Sequence, residues 1–230
     1  LITLTTADGL TADNVTSIIQ DRDGALWFGT AGGVTRYDDR TWQIPFEEAI
    51  TALAGGPDGN LWAGTAESGL RYYDGQAWHS ITARADGDEK GLPSNRISAL
   101  YWDAEDTLWV GTNGWGLARF DGQKWEVFTR AEHGLAADSI FAIEQAHDGT
   151  LWVGTPGGLS RFDGQQWETW TAANTHSGLV NDWVWAIVED DQGILWVGTK
   201  RGVCRYDGQQ WLEPFTRANS GLAADEVTAI

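Results

Sequence analysis

A five-residue phrase recurs five times in this chain of 230 residues: Leu-Trp, one apolar residue, then Gly-Thr. Successive copies begin 35 to 47 residues apart. This spacing is typical of solenoids, propellers and similar arrays, in which each copy forms one supersecondary unit. The repeat therefore constrains the fold more than any other feature of the sequence. The five copies occupy residues 26–30, 61–65, 108–112, 151–155 and 195–199.

The fourth copy shows the pattern of one repeat most clearly. Residues 139–144 alternate in polarity, and runs at 151–155, 159–162 and 166–171 follow after glycine-containing turns. Asp-Gly between such runs is typical of antiparallel hairpins, because glycine supplies the positive φ that tight turns need. We name the four strands of a repeat a, b, c and d. Four antiparallel strands at this period predict a propeller blade, whereas sheet twist and exposed edges disfavour a flat meander of some twenty strands.

The repeat pattern extends to both ends of the chain. We predict a single all-β domain over residues 1–230, a β-propeller of four-stranded antiparallel blades with five complete repeats and an extra strand at each end. Residues 2–6 match strand d, and residues 221–230 match strand a. Either the chain is part of a larger ring of six or more blades, or these unpaired terminal strands pair with another chain in self-association. The predicted repeats cover approximately residues 10–47, 48–90, 91–133, 134–177 and 178–220, with a further repeat starting at 221–230.

Charge and hydropathy argue against two classes of partner. The net charge of −18 disfavours nucleic acid and anionic lipid surfaces, because both attract basic patches. No stretch approaches the roughly 20 apolar residues of a membrane-spanning helix, and no signal-peptide pattern opens the chain. We therefore expect no nucleic-acid partner, no direct membrane insertion by this segment and no targeting signal within it.

The single cysteine has a structural explanation. Cys204 falls in strand c, at a position that other copies fill with Thr35, Arg71, Ala118 and Ser160. No recurring histidine or acid accompanies it, as a nucleophile would require. We expect Cys204 to be a structural thiol.

Metal binding and catalysis receive little support. The acid-rich turns between strands a and b, such as residues 21–24, offer oxygen atoms of the kind that calcium prefers, but they lack the full loop of a dedicated site. We predict that they are hairpin turns. The four histidines lack metal-ligand spacing, although His133 and His176 both precede a Gly-Leu pair. No catalytic residue, metal site or cofactor is predicted.

The 15 tryptophans fall into two groups, those that recur in every repeat and those that do not. Ten recur in strands b and d, and residues present in every blade are most simply explained as fillers of the blade junctions. The arginine of a recurring Arg-aromatic-Asp run in strand c is expected to stack on a tryptophan and pair with an acid. The recurring tryptophans are Trp27, Trp62, Trp109, Trp152 and Trp196 in strand b, and Trp42, Trp78, Trp125, Trp167 and Trp211 in strand d. The others are Trp102, Trp115, Trp170, Trp183 and Trp185.

Two of the non-recurring tryptophans mark the best candidate for a ligand site. Trp183 and Trp185 open strand a of the fifth repeat, where other copies carry residues such as Asn14 and Thr16. Strand a normally lines the central channel of a propeller, and its start forms one rim. The two indoles are predicted to stack on a sugar ring or a flat apolar ligand; alternatively, each fills a local gap. The residues expected to hydrogen-bond the ligand are Asn181, Asp182, Asn95 and Arg96.

The repeated series of Asp-Gly, Leu-Trp-x-Gly-Thr, Gly-Leu or Gly-Val, and an aromatic-Asp pair resembles the two-component regulator propeller repeat over essentially the whole chain. The second repeat departs most, because residues 55–59 interrupt it and the Gly-Leu pair before Ile50 is missing. The resemblance implies the extracytoplasmic (periplasmic) sensor part of a bacterial hybrid histidine kinase.

We therefore expect a non-catalytic ligand-sensing or interaction propeller whose partner is a small molecule, a glycan or a protein. Two other classes stay open, because a propeller fold does not by itself define a function. One is a carbohydrate-binding (lectin-like) or scaffolding propeller. The other is a streptogramin-lyase-like enzyme, which would need a histidine base within reach of its substrate and a metal.

Overall fold

The computed structural model of the protein describes residues 3–38, 40–83 and 91–230. Within these ranges, twenty strands form five antiparallel sheets of four strands each. In every sheet the strands follow chain order, so that each strand pairs with the next one along the sequence. The prediction of an all-β propeller built from five four-stranded blades is confirmed at this level.

The first compact unit comprises Leu1–Thr112 and Ala118–Glu126. It contains the first two sheets and the larger part of the third. Their strands are β1 (Val15–Gln20), β2 (Leu26–Thr30), β3 (Gly33–Tyr37), β4 (Trp42–Phe46), β5 (Ile50–Gly55), β6 (Leu61–Thr65), β7 (Leu70–Tyr73), β8 (Trp78–Ile81), β9 (Ile97–Trp102), β10 (Leu108–Thr112), β11 (Leu117–Phe120) and β12 (Trp125–Phe128).

The second compact unit comprises Asn113–Leu117 and Val127–Ile230. It contains the fourth and fifth sheets and one short helix, α1 (Arg130–His133). Their strands are β13 (Ala142–Gln145), β14 (Leu151–Thr155), β15 (Gly158–Phe162), β16 (Trp167–Trp170), β17 (Val184–Glu189), β18 (Leu195–Thr199), β19 (Gly202–Tyr206) and β20 (Trp211–Phe215).

Polar side chains hold the turns that join the strands. The hydroxyl of Thr155 donates to the carbonyl oxygen of Gly158 at 2.8 Å and accepts from the backbone N–H of Gly157 at 3.1 Å. Thr155 is fully buried, so these bonds satisfy a hydroxyl that water cannot reach. The threonine of the phrase therefore closes the turn between strands b and c. The same bond to a glycine carbonyl is made by Thr30, Thr65 and Thr199.

The glycine of the phrase lies where the next blade packs. A methyl group built on Gly64 would lie 2.5 Å from Cγ2 of Ile97, in strand a of the following repeat. Only glycine leaves room for a β-branched side chain at this distance, because real carbon atoms do not approach so closely. The prediction that the phrase serves the blade junctions is confirmed for these copies. The equivalent neighbours are Ile50 at Gly29, Val184 at Gly154 and Val227 at Gly198.

The extra strands predicted at the two ends do not form among the described residues. Residues 3–14 consist of turns and irregular backbone, and so do residues 221–230; residue 2 lies outside the described ranges. A strand is defined by ladder hydrogen bonds, and none of the ladders among the described residues includes these segments. The C-terminal segment nevertheless packs like a strand a, because the N–H of Val227 donates to the carbonyl oxygen of Thr199 at 3.0 Å.

Candidate functional site

Three of the five strand-b tryptophans are held by a hydrogen bond to an aspartate of their own repeat. Nε1 of Trp27 donates to the carboxylate of Asp21 at 2.8 Å, and the guanidinium of Arg36 lies 5.6 Å from the centre of the same ring. Arg36 also pairs with Asp21 at 3.5 Å. These contacts tie strands b and c to the turn between strands a and b, and confirm the arginine as a structural brace. The same tryptophan-to-aspartate bond joins Trp109 to Asp103 and Trp196 to Asp190.

The strand-d tryptophans stack on the aromatic residue that ends strand c. Trp42 lies 4.5 Å from Tyr37 between ring centres, Trp125 lies 4.8 Å from Phe120, and Trp167 lies 4.7 Å from Phe162. Cross-strand aromatic pairs of this kind stabilise a sheet. The recurring tryptophans are therefore structural.

The acid-rich turns bind their own backbone. One carboxylate oxygen of Asp190 accepts from the N–H groups of Gln192 and Ile194, and the other accepts from the indole of Trp196. The Trp196 bond and then the Ile194 bond lower the pKa of Asp190 below its ordinary value of 3.8. Both oxygens thus serve the hairpin, as predicted. In the part of the chain that the structure describes, no group of three or more metal-ligating side chains comes together.

The histidines occupy separate local environments. Nδ1 of His133 accepts from the N–H of Thr129 at 3.2 Å and so closes the first turn of α1. His147 donates its backbone N–H to Glu189 at 2.6 Å and contacts the same carboxylate through Nδ1. Burial raises the pKa of the neighbouring Glu144, and the negative charge of Glu189 also acts to raise it. None of these contacts joins His133 to His176, the pair on which a lyase would depend.

A hydrogen bond at the start of strand a gives Asp182 and Asn95 a structural role. One carboxylate oxygen of Asp182 accepts from the N–H of Ala172 at 2.7 Å, across the loop that follows strand d. The amide oxygen of Asn95 accepts from Ala83 at the same distance. Each bond, which we call the loop clasp, therefore joins the end of strand d in one repeat to the start of the next repeat. The other instances are Thr6 to Asp13, Arg130 to Asp138 and Arg217 to Asp225.

Trp183 and Trp185 form an aromatic cluster with Phe141. Their ring centres lie 5.5 Å apart, and Trp185 stacks on Phe141 at 4.5 Å with an interplanar angle of 22°. Both indole nitrogens are buried without a hydrogen-bond acceptor among the described residues, as are those of Trp78, Trp102 and Trp167. No hydrogen bond to an indole nitrogen therefore fixes these two rings, in contrast to Trp27, Trp109 and Trp196 of strand b.

A shallow depression of about 560 Å³ opens beside Trp183. The ammonium of Lys200 lies 4.9 Å from the centre of the Trp183 ring, and Arg201 lies next to it along the rim. Sequence reasoning missed these two cations. They are the only adjacent basic pair in the sequence, and they occupy a turn where other repeats carry Ala31-Gly32 and Pro156-Gly157. The depression is lined by Pro156, Asn181, Asp182, Trp183, Lys200 and Arg201.

The predicted site residues divide between the two units. Asn181, Asp182, Trp183 and Trp185 lie together at the start of the fifth repeat, and the side-chain oxygen of Asn181 accepts from the N–H of Trp183 at 3.0 Å. Asn95 and Arg96 belong to the first unit, at the start of the third repeat, where Arg96 is exposed. Their participation in one site with Trp183 stays a prediction.

Repeated four-stranded blades with glycine-lined junctions place the chain in the β-propeller class. Four segments match the sequence profile described as two component regulator propeller, at residues 9–32, 91–114, 134–157 and 178–201. Each segment runs from the Gly-Leu pair through strands a and b to the turn after the Gly-Thr pair. These four segments of the chain thus match the two component regulator propeller repeat. The second repeat lies outside these segments, and it is the copy that lacks the Gly-Leu pair.

Solved structures of propellers from several functional contexts are similar to the chain. One is an extracellular domain assigned to the hybrid two component system BT3049 from B. thetaiotaomicron, with 22% identity, a TM-score of 0.79, and coverage of 90% of this chain and 30% of that one. PorZ, a bacterial surface component of the type-IX secretion system of Porphyromonas gingivalis, is 17% identical with a TM-score of 0.69, over 96% of this chain and 37% of that one. Virginiamycin B lyase from Staphylococcus aureus is 12% identical with a TM-score of 0.69, over 88% and 70%.

These likenesses concern the fold, since all three identities are low. The chain spans about a third of the length of the first two structures. A comparison with curated protein sequences found no match. Among the described residues, no helix has the length and apolar character needed to cross a membrane.

Proposed function

We propose that the chain is a ligand-binding propeller of an extracytoplasmic sensor, which acts by binding rather than by turnover. The repeats are those of the two component regulator propeller family, and a similar fold occurs in an extracellular domain assigned to a hybrid two component system. The proposed ligand is a small molecule or a glycan.

One observation carries the location of the site. Trp183 and Trp185 depart from the repeat pattern and form a cluster with Phe141, and Trp183 lines a depression at the start of strand a. Aromatic rings next to polar groups in a concave surface are typical of ligand sites. The tryptophans of strand b recur in every repeat, and aspartates bind three of them, so they offer no such specificity.

The test is a glycan and small-molecule binding screen followed by calorimetry on variants. Trp183→Ala and Trp185→Ala should weaken binding at least about tenfold, because stacking on an indole contributes about 1 kcal/mol or more. Trp183→Phe keeps a flat ring and should retain part of the affinity. Trp115→Ala, at an exposed tryptophan in the third repeat, is the control. Ligand affinity that survives both alanine substitutions would contradict the site.

A lectin-like propeller is the second candidate, because the same stacked indoles suit a sugar ring. The two candidates differ in what the ligand does to the rest of a longer protein. A sensor should change the activity or accessibility of the modules attached to it, whereas a lectin should bind its glycan without such a change.

A further inference from the structure

We infer that the depression beside Trp183 takes a ring compound bearing a carboxylate, with Lys200 and Arg201 binding the carboxylate and the Trp183 ring packing against the ring of the ligand. The inference rests on the proposed function, since it names the ligand class of the same site. It rests on the positive charge of Lys200 and Arg201, on the position of these residues beside Trp183, and on the hydrogen bond that Asp182 accepts from Ala172.

The two cations stand out in an acidic protein. The chain has 33 acidic residues against 15 basic ones, yet its only adjacent basic pair lies on this turn. Arg36, Arg71 and Arg119 each lie within 4.0 Å of a carboxylate. Neither Lys200 nor Arg201 has such a partner among the described residues. Their charge is therefore available to a ligand.

The backbone of the turn is fixed while both side chains are exposed. The N–H of Lys200 donates to the carbonyl oxygen of Trp183 at 3.1 Å, and the N–H of Arg201 donates to the hydroxyl of Thr199 at 3.1 Å. Both basic residues are exposed to solvent. The cations are thus presented from a rigid turn, which reduces the entropy lost when a ligand binds.

The same turn places charge beside an aromatic face. The Lys200 ammonium lies 4.9 Å from the centre of the Trp183 ring, so a carboxylate that reaches Lys200 brings the rest of the ligand close to the indole. A guanidinium next to an ammonium suits a carboxylate, because the guanidinium can donate two parallel hydrogen bonds. A ring compound with one acidic group would satisfy both features at once.

The acidic residue in the depression makes no ion pair within 4.0 Å with Lys200 or Arg201 among the described residues. One oxygen of Asp182 instead accepts from the N–H of Ala172 at 2.7 Å. The remaining negative charge of the protein is largely screened beyond about 8 Å at physiological salt. Local attraction by two cations can therefore exceed the repulsion expected from the net charge.

The experiment compares two acids with their neutral counterparts by isothermal titration calorimetry. The probes are galacturonobiose against galactobiose, and indole-3-carboxylate against indole-3-carboxamide, so that a sugar body and an aromatic body are tested separately. The proteins are the wild type, Lys200→Gln/Arg201→Gln, Trp183→Ala, and the control Arg40→Gln/Lys124→Gln. The control removes the same two charges from exposed positions elsewhere.

In the wild type and the control, at least one acid should bind about tenfold more tightly than its neutral counterpart, and the difference should shrink at high salt. The Lys200→Gln/Arg201→Gln protein should lose this preference. Equal binding of acid and neutral probes, an equal loss in the control, or no binding by any of the four probes would overturn the inference. Acid binding unchanged by Trp183→Ala would instead contradict the proposed site. A neutral ligand from the screen that needs Trp183 would leave the proposed function standing without the carboxylate.

Discussion

The sulfur of Cys204 lies 3.2 Å from the backbone nitrogen of Val180 and accepts its hydrogen bond. The same slot of strand c holds Thr35, which accepts from Thr11. In the fourth repeat, Ser160 accepts from Ala136 in the same way. In the third repeat the position after Gly-Leu is Pro93, which has no N–H, and the slot contains Ala118, which has no acceptor. In these four repeats, the slot therefore holds a hydrogen-bond acceptor where the opposing residue has an N–H to donate, and alanine where that residue is proline.

Removing the acceptor should destabilise the fifth repeat. Cys204→Ala leaves the partly buried N–H of Val180 without its partner and should lower the free energy of unfolding by about 1–2 kcal/mol, whereas Cys204→Ser keeps an acceptor and should cost less. Chemical denaturation measures both. Ala118→Ser is the matched control and should bring no gain, because Pro93 donates no hydrogen bond. An alanine variant at position 204 as stable as the serine variant would contradict this account.

The thiol should also be unreactive in the folded protein. Burial raises the pKa of Cys204 to about 11 from 9.0, so little thiolate is present at neutral pH. Alkylation by iodoacetamide at pH 8, followed by mass spectrometry, should be slow in buffer and fast in denaturant. Rapid modification without denaturant would show that the Cys204 environment opens easily.

A methyl group at the blade junction should be costly. Gly64→Ala would bring Cβ to 2.5 Å from Cγ2 of Ile97, so we expect a loss of about 1–3 kcal/mol in the free energy of unfolding. Gly55→Ala in the same blade is the control, because nothing lies within 4 Å of the added carbon. The double variant Gly64→Ala/Ile97→Ala removes the clashing atom and should show less than the sum of the two single losses. Additive losses would mean that the two residues do not compete for space.

Asp182 offers a test between structure and ligand binding. Asp182→Asn keeps an oxygen that can accept from Ala172, as Asn95 does from Ala83, and should leave stability nearly unchanged. Asp182→Ala removes the acceptor and should cost about 1–2 kcal/mol. Thermal unfolding of the two variants distinguishes them. A loss of ligand affinity in a stable Asp182→Asn protein would show that the charge itself contacts the ligand.

Acid should weaken the turns between strands c and d. The N–H of Ala77, the side chain of His79 and the N–H of Gln76 hold the pKa of Asp74 at about 2, below its ordinary value of 3.8. Because the folded-state pKa is lowered, this contribution is complete above about pH 4 and is lost as the pH falls towards 2. Asp74→Asn should therefore reduce the loss of stability between pH 4 and pH 2, measured by urea denaturation. Asp23→Asn is the control for removal of a charge. Similar acid curves for the wild type and Asp74→Asn would contradict the assignment.

Much of the architecture follows from local patterns. The phrase predicts strand b, and the Asp-Gly pairs predict the hairpins, because both depend on neighbours within a few residues. The junction role of Gly64 also follows from its recurrence. The extra end strands do not form among the described residues, and their pairing in a larger ring or with another chain stays a prediction, since a ladder needs a neighbouring edge that a pattern in one segment cannot supply.

The candidate site was only partly visible in the sequence. Trp183 and Trp185 could be found because they break the repeat. The clasp made by Asp182 had a signal that sequence reasoning missed, because an Asp or Asn stands four residues after the glycine of every Gly-Leu pair that opens a repeat, as Asp182 does after Gly178 and Asn95 after Gly91. The donor could not be predicted, because it lies 10 residues before Asp182 but 12 before Asn95. Lys200 and Arg201 were missed because a basic pair on a turn indicates a ligand site only when an aromatic ring is known to lie beside it.

The sequence by itself determined the repeated blade and its turns, because these depend on short-range hydrogen bonds and on alternation along each strand. Only the tertiary structure decided which backbone groups the clasp residues hold and which cation faces an indole. Ala172 meets Asp182 across a loop whose length differs between repeats, and Lys200 meets Trp183 because strands β17 and β18 pair in the register that places Val184 opposite Thr199.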